Sequence, residues 1–201
     1  MIHGPKYKIC RRLGSGVFEK CQTQKFALSR GNRTKSNMKR PKALSDYGLQ
    51  LLEKQKIRFY YGLSEKQFSN YVKEAILSKG VPSADRLHEN LEKRLDNIIY
   101  RLGIASTRAF ARQTVAHGHF MVNGKRVTAP SVRMKIGDSI SVRPGSRVKP
   151  LFSNLDKKLK GVVTPSWLFF DPVAMEGKHQ GKPEEKDAFL NFNSVIEFYS
   201  R

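Results

Sequence analysis

The stretch "LEKRLDNIIYRLGIASTRAFARQTVAHGHFMVNGKRV", residues 91–127, limits the folds open to this chain more than any other. Leu87, Leu91, Leu95, Ile98, Ile99 and Leu102 recur at helical spacing, which predicts a helix from about Arg86 to Leu102. Gly103 follows where a helix end favours positive φ. A second helix is expected from Ser106, a good N-cap, to Gly118, and "GIAS" joins the two into an αα-hairpin. After it, "HFMV" and "KRV" flank Asn123–Gly124, the pair that supplies the positive φ angles of a type I′ hairpin turn. A further turn at Gly137 and Asp138 precedes "SISVR", whose Ile140 and Val142 alternate. The segment therefore reads as two helices followed by several short antiparallel strands.

His117 and His119 sit with Arg108, Arg112, Lys125 and Arg126 where the helix gives way to the hairpin, and three chemistries compete for such a cluster. Nucleophilic catalysis needs a nucleophile, a base and a group that orients the base. Ser106, Thr107 and Thr114 are near in sequence, but the available carboxylates, Asp96 and Asp138, have no paired partner for acid–base work. No catalytic residue is assigned. A structural zinc site takes four ligands in closely spaced pairs; Cys10 and Cys21, even with His3, do not supply them, so no metal and no cofactor are expected.

Charge favours the third chemistry, a grip on a polyanion. The chain carries 38 Lys and Arg against 17 Asp and Glu, a formal +21, and nucleic acid is the partner that most simply accounts for it. Residues 1–42 hold 12 Lys and Arg against one acid, and residues 90–143 hold ten against three. Arg108 and Arg112 are i, i+4 neighbours, and arginine forks bind phosphate bidentately. The backbone N–H groups at Ser106 and Thr107 suit a phosphate as well. No apolar run approaches the roughly 18 residues of a membrane span, and the start lacks the apolar stretch of a secretory signal. A soluble intracellular protein is expected, with no membrane partner and with two unligated thiols in a reducing compartment.

The rest of the chain organises around this module. Residues 1–43 have few periodic apolar positions and read as a basic arm that orders against its partner. Helices are expected from Ser45 to about Gly62 and, after a Ser64–Gln67 capping box, through Phe68, Tyr71, Val72, Ala75 and Ile76 to Gly80 and Pro82. Leu151, Leu155 and Leu159 suggest a short amphipathic helix, while "TPSWLFFDP" and "NSVIEFYSR" read as strand or irregular. Trp167, Phe169, Phe170 and Phe198 are expected in a core, since their segment is net acidic. Their apolar surface should pack on the helices of 45–89. The fold class is then α+β, with a helical domain of residues 44–89 completed by 144–201 and an inserted basic αα-β module at 90–143, which the resemblance described next implies is RNA-binding.

Four stretches carry a likeness: "SDYGLQLLEKQKIRFYYG" at 45–62, the module sequence at 91–127, "WLFFDPVAMEGK" at 167–178 and the ending "VIEFYSR". On these the chain resembles the small-subunit ribosomal protein four family of bacteria and organelles, over nearly its whole length. The resemblance implies a structural, non-enzymatic constituent of the small ribosomal subunit, cytoplasmic if bacterial. It implies binding to the 5′ domain of small-subunit ribosomal RNA at a multi-helix junction, nucleation of assembly, and contact with small-subunit ribosomal protein five. It also implies a place beside the entrance of the mRNA channel and an influence on translational accuracy.

Carried over residue by residue, RNA-binding roles fall on Tyr47, Gln50, Lys54, Gln55 and Arg58. In the module they fall on Arg94, Arg101, Thr107, Arg108, Arg112, Gln113, His117, Lys125 and Arg126. Lys39, Arg40 and Lys42 resemble the basic residues that line the mRNA path. Two departures stand out. Many relatives hold zinc with four cysteines in the arm; here Tyr7 and Phe26 take two of those places beside Cys10 and Cys21. "RGNRTKSNMKRPKAL" also replaces a Pro-Gly-Gln-His-Gly element of the family. The alternatives are an RNA-modifying enzyme of the pseudouridine synthase type, which uses a similar module, and a regulator that binds messenger RNA.

Overall fold

The computed structural model describes residues 4–28, 43–153, 155–184 and 186–200. It divides into two compact units, residues 1–87 with 186–201, and residues 88–185.

In the first unit, α1 (Lys6–Leu13) leads into two short 3-10 turns at Ser15–Val17 and Glu19–Gln22. Cys10, Leu13, Val17, Cys21 and Phe26 are buried together, with Tyr7, Phe18, Leu52 and Phe59 packed against them. The described part of the expected arm is thus folded, around a core too irregular to leave a periodic trace in the sequence. Cys10 and Cys21 are joined as a disulfide with Cα atoms 6.4 Å apart, which corrects the expectation of two unligated thiols. The rings of Tyr7 and Phe26 stack at 5.5 Å. A bonded sulfur pair and two stacked rings offer no tetrahedral donor set, so the site does not fit zinc.

Ser45 caps α2 (Asp46–Tyr60) by accepting from the Gly48 amide at 3.3 Å. Both bonds of the expected Ser64–Gln67 capping box open α3 (Glu65–Leu77), which buries Phe68, Tyr71, Val72 and Ala75. The helix stops at Leu77, three residues before the glycine taken as its end. The ending expected as strand or irregular is instead a helix, labelled α9 (Phe192–Tyr199) when numbered along the chain. Asn191 caps it, and Phe192 and Val195 are buried at i, i+3. A short apolar run satisfies helical and strand patterns alike, and here packing on α2 and α3 decides.

The division between the units falls within α4 (Ser83–Glu92). The long helix expected to Leu102 is in fact two, because α5 (Leu95–Arg101) starts afresh after an extended step at Arg94. There the backbone pairs with a passing strand: Leu95 N donates to Val132 O, and Met134 N to Lys93 O, both at 2.9 Å. Arg94 and Arg133 form an antiparallel bridge between them. Thr107, one residue later than expected, caps α6 (Arg108–Ala116) by accepting from the Phe110 amide at 3.1 Å. Then β1 (Phe120–Val122) and β2 (Lys125–Val127) turn at Asn123 and Gly124, φ 48° and 75°, the predicted hairpin.

β1 also pairs with β3 (Ser139–Val142), followed by the short helices α7 (Pro144–Arg147) and α8 (Leu155–Leu159). Two further strands, β4 (Leu168–Asp171) and β5 (Glu176–His179), extend the same sheet to the order β2-β1-β3-β5-β4, all antiparallel. Residues 144–185 therefore belong with the module, not with the helical unit that they were expected to complete. The physical reason is the open edge of β3, whose backbone groups β5 satisfies. The core follows the sheet. Leu95, Ile98, Phe120, Ile140 and Val142 pack with Phe152, Leu155, Trp167 and Leu168 in one cluster. Phe169, expected in a core, is 52% exposed on β4.

Gly177 sits inside this sheet opposite Ile140 and Phe170. A Cβ there would lie 2.6 Å from the Phe169 carbonyl oxygen and 2.8 Å from the Phe170 ring, and the first of these is backbone that cannot yield. Gly177→Ala is therefore expected to cost about 1–3 kcal/mol through overpacking, read as a lowered urea midpoint.

Candidate nucleic-acid interface

Two carboxylates organise the cationic face of the second unit. Asp96, on the first turn of α5, is buried, and the fork of Arg94 grips it through Nε to Oδ1 at 3.1 Å and Nη2 to Oδ2 at 3.0 Å. Arg112 of α6 donates to the same Oδ2 from Nη2 at 2.8 Å and from Nε at 3.0 Å. Glu92, at the end of α4, is the second, and Arg101 donates to both its oxygens at 2.9 and 3.0 Å. Asn97 joins the two systems. Its side chain donates to Glu92 Oε2 at 2.8 Å and accepts from Arg108 Nε at 2.8 Å, while its amide donates to Asp96 Oδ1 at 2.9 Å. The Arg108 guanidinium also lies over the Tyr100 ring, 4.2 Å from its centroid.

Helical spacing explains the convergence. Arg108 and Arg112 rise on one face of α6, opposite Asp96 and Asn97 on α5, and the αα-hairpin brings the faces together. Three guanidinium groups, those of Arg94, Arg101 and Arg112, share the two carboxylates, and a fourth, Arg108, is tied in through Asn97, so the network keeps a net charge of about +2 while its side chains are fixed in place. Arg94 and Arg108 are buried, at 2% and 6% exposure. Arg101 and Arg112 keep part of their side chains at the surface, 19% and 29%.

The other module residues singled out from the sequence are placed as follows. Thr107 is the N-cap of α6, with its hydroxyl taken by that role. Gln113 and His117 are exposed on and just after α6, and Lys125 and Arg126 are exposed on β2. Glu92, Asn97 and Tyr100 were not foreseen; the arginines themselves, spaced around "LDN", were the available signal. Asp96, weighed from the sequence as a possible acid or base, is occupied by two arginines. Asp138 accepts from Asn123 Nδ2 at 2.8 Å and the Lys135 amide at 2.7 Å, which ties the hairpin turn to the turn before β3.

In the first unit the five residues expected to touch RNA lie on α2, and Tyr47, Gln50 and Lys54 among them meet the C-terminal helix α9. Lys54 and Arg58 pair with Glu65 at 2.7 and 3.3 Å, and Lys54 Nζ lies 4.8 Å from the centre of the Phe198 ring. Gln50 donates to Glu197 Oε2 at 3.1 Å, and Tyr47 packs on Phe198 while remaining 53% exposed. Gln55 is half-buried. Burial acts to raise the Glu65 carboxyl, but Lys54 and Arg58 outweigh it and hold the group below its ordinary value. Lys39, Arg40 and Lys42 lie outside the described residues. No group of three or more His, Cys, Asp or Glu that could hold a metal occurs among the described residues.

A two-helix hairpin over a small sheet, with clustered arginines on the helices, defines an RNA-binding module of the S4 type, and the model of the S4 domain matches residues 93–140. The model described as the ribosomal protein S4/S9 N-terminal domain matches residues 1–96. Proteins named small ribosomal subunit protein uS4 are similar to the chain almost end to end. Those of Acetivibrio thermocellus, Roseiflexus castenholzii and Thermus thermophilus are 42%, 44% and 43% identical, each over 98% of both chains. The chain belongs to the uS4 family of ribosomal proteins.

Removing one member of a buried ion pair leaves its partners uncompensated, at a cost of about 3–5 kcal/mol. Asp96→Asn is therefore expected to destabilise the protein by about that amount, whereas Lys157→Ala on the exposed face of α8 changes little; thermal unfolding distinguishes the two.

Proposed function

We propose that this protein is a structural constituent of the small ribosomal subunit that binds small-subunit ribosomal RNA through the cationic face of residues 88–185. One observation carries the reading: Glu92 and Asp96, both buried, hold Arg94, Arg101 and Arg112 in fixed positions and, through Asn97, Arg108. Guanidinium groups held in place lose little further freedom when they meet phosphate, so more of the interaction energy appears as affinity. Arg101, Arg112, Gln113, His117, Lys125 and Arg126 are the residues of this face that can touch RNA, and Arg94, Arg108 and Thr107 hold the frame. Tyr47 is the aromatic surface for an unstacked base on the first unit.

The finer reading follows the family likeness. The RNA element is the multi-helix junction of the 5′ domain, the protein joins early in assembly, and small-subunit ribosomal protein five and the mRNA path are its neighbours. Against the reading of an RNA-modifying enzyme, Asp96 and Asp138, the carboxylates that the sequence offered for acid–base work, are committed to ion pairs and to a turn.

Contacts through phosphates release counterions, so binding should weaken steeply with salt. If about six to ten phosphates are neutralised, affinity for the 5′ domain falls by roughly three to five orders of magnitude between 50 and 200 mM salt. Filter binding across that range checks it, and a flat response contradicts the proposal.

A further inference from the structure

Asn123 and Gly124 give the β1–β2 hairpin its turn, and the same pair carries a reactivity that the turn does not use. An asparagine followed by glycine has its own nucleophile: the next backbone nitrogen can attack the carboxamide carbon, and glycine has no side chain to hinder the approach. Both residues are exposed to water. Nothing lies within 4 Å of the place a Cβ on Gly124 would take, so neighbouring groups give no steric cover either.

The fold instead holds the carboxamide itself. Asn123 Oδ1 accepts from the Ser139 amide at 2.8 Å and from the Ser139 hydroxyl at 3.2 Å, and Nδ2 donates to Asp138 Oδ1 at 2.8 Å. The Asn123 amide donates to the Ser139 carbonyl at 3.0 Å, which ties the backbone to the same place. Asp138 is itself anchored, because its Oδ2 accepts from the Lys135 amide at 2.7 Å. Burial acts to raise the Asp138 carboxyl, but the Asn123 side chain and the Lys135 amide outweigh it and hold the group ionised. The φ of 48° at Asn123 belongs to the type I′ turn, whereas closing a ring onto the Gly124 nitrogen needs the backbone to rotate out of it. Attack therefore requires the side-chain bonds and the turn to open together.

We infer that Asn123 is a site of spontaneous deamidation, guarded by Asp138 and Ser139, which is silent in the folded hairpin and reacts when the hairpin opens. The Gly124 nitrogen gives its proton to solvent and bonds to Asn123 Cγ. The Cγ–Nδ2 bond breaks, and the nitrogen takes up a proton and leaves as ammonia, so that a cyclic imide remains. Water then adds to either imide carbonyl and opens the ring to aspartate or isoaspartate. In sum one water is consumed and one ammonia released, with no oxidant or reductant. Neither product restores the guard. A carboxylate now faces Asp138 where an N–H had donated, and like charges at that separation repel. Isoaspartate also adds a methylene to the backbone, which disturbs the pairing of Val122 with Lys125. The modification is thus a one-way record of hairpin opening, and its chemistry is independent of RNA binding.

The test follows the full chain at mildly alkaline pH, with deamidation read on the tryptic peptide of residues 113–125 by its gain in mass and by separation of the two products. The folded protein should react about tenfold or more slowly than the same chain in concentrated urea. Asp138→Ala, shown to be folded by circular dichroism, should react about threefold or more faster than the unaltered protein, because one bond of the guard is gone. Asp171→Ala removes a carboxylate that caps a different turn of the same sheet, and it should change the rate by less than about twofold. Asn123→Asp, which builds one product directly, should lower the unfolding temperature by about 3–6 °C and does not depend on the folding of the Asp138 variant. Equal rates in the folded and urea-unfolded chain overturn the inference. So do a folded Asp138→Ala that reacts no faster, an Asp171→Ala accelerated as much, or an Asn123→Asp as stable as the unaltered protein.

Discussion

Glu92 and Asp96 take two carboxylates out of water in a chain of 38 Lys and Arg, and the cationic face of residues 88–185 depends on them. Desolvating an ionised carboxylate costs several kcal/mol, which is recovered only when forks and amides satisfy its oxygens. Here Arg94, Arg112 and the Asn97 amide do so for Asp96, and Arg101 and Asn97 for Glu92. The αα-hairpin, its Thr107 cap and the break at Arg94 are the means by which three helices present these groups to each other. A continuous helix through Arg94 would carry its guanidinium away from Asp96, and the bridge to Arg133 is what prevents it.

The first unit uses the same device at lower burial. Glu65 on α3 and Glu197 on α9 receive Lys54, Arg58 and Gln50 from one face of α2. Cations and amides that read from sequence as RNA contacts thereby also seat the C-terminal helix. The two roles are compatible, because a lysine or arginine has more donors than one carboxylate uses.

Much of this was legible in the residues, and the exceptions have physical causes. The Asn123–Gly124 hairpin, the Ser64–Gln67 box and the Gly103 and Gly118 helix ends are local chemistry, readable within a few residues. The membership of 144–185 was not, because the pairing of β5 with β3 joins positions far apart in sequence. Trp167 and Leu168 are apolar wherever they pack, and only the open edge of β3 selects the place. The N-terminal cluster was missed because Cys10, Cys21, Tyr7 and Phe26 build a core without helical period. At the site, sequence gave the cations and concealed their division into buried and outward-facing ones, since the burial of Arg94 and Arg108 is set by Asp96 and Asn97 across a helix–helix contact.

If rigid placement of arginines matters more than net charge, an isosteric change that adds positive charge must still weaken RNA binding. Glu92→Gln is that change: it raises the net charge by one unit and frees Arg101 from its fork. Measured on folded protein at fixed salt, affinity for the 5′-domain fragment should fall by about tenfold. An affinity equal to or above that of the unaltered protein would contradict the account.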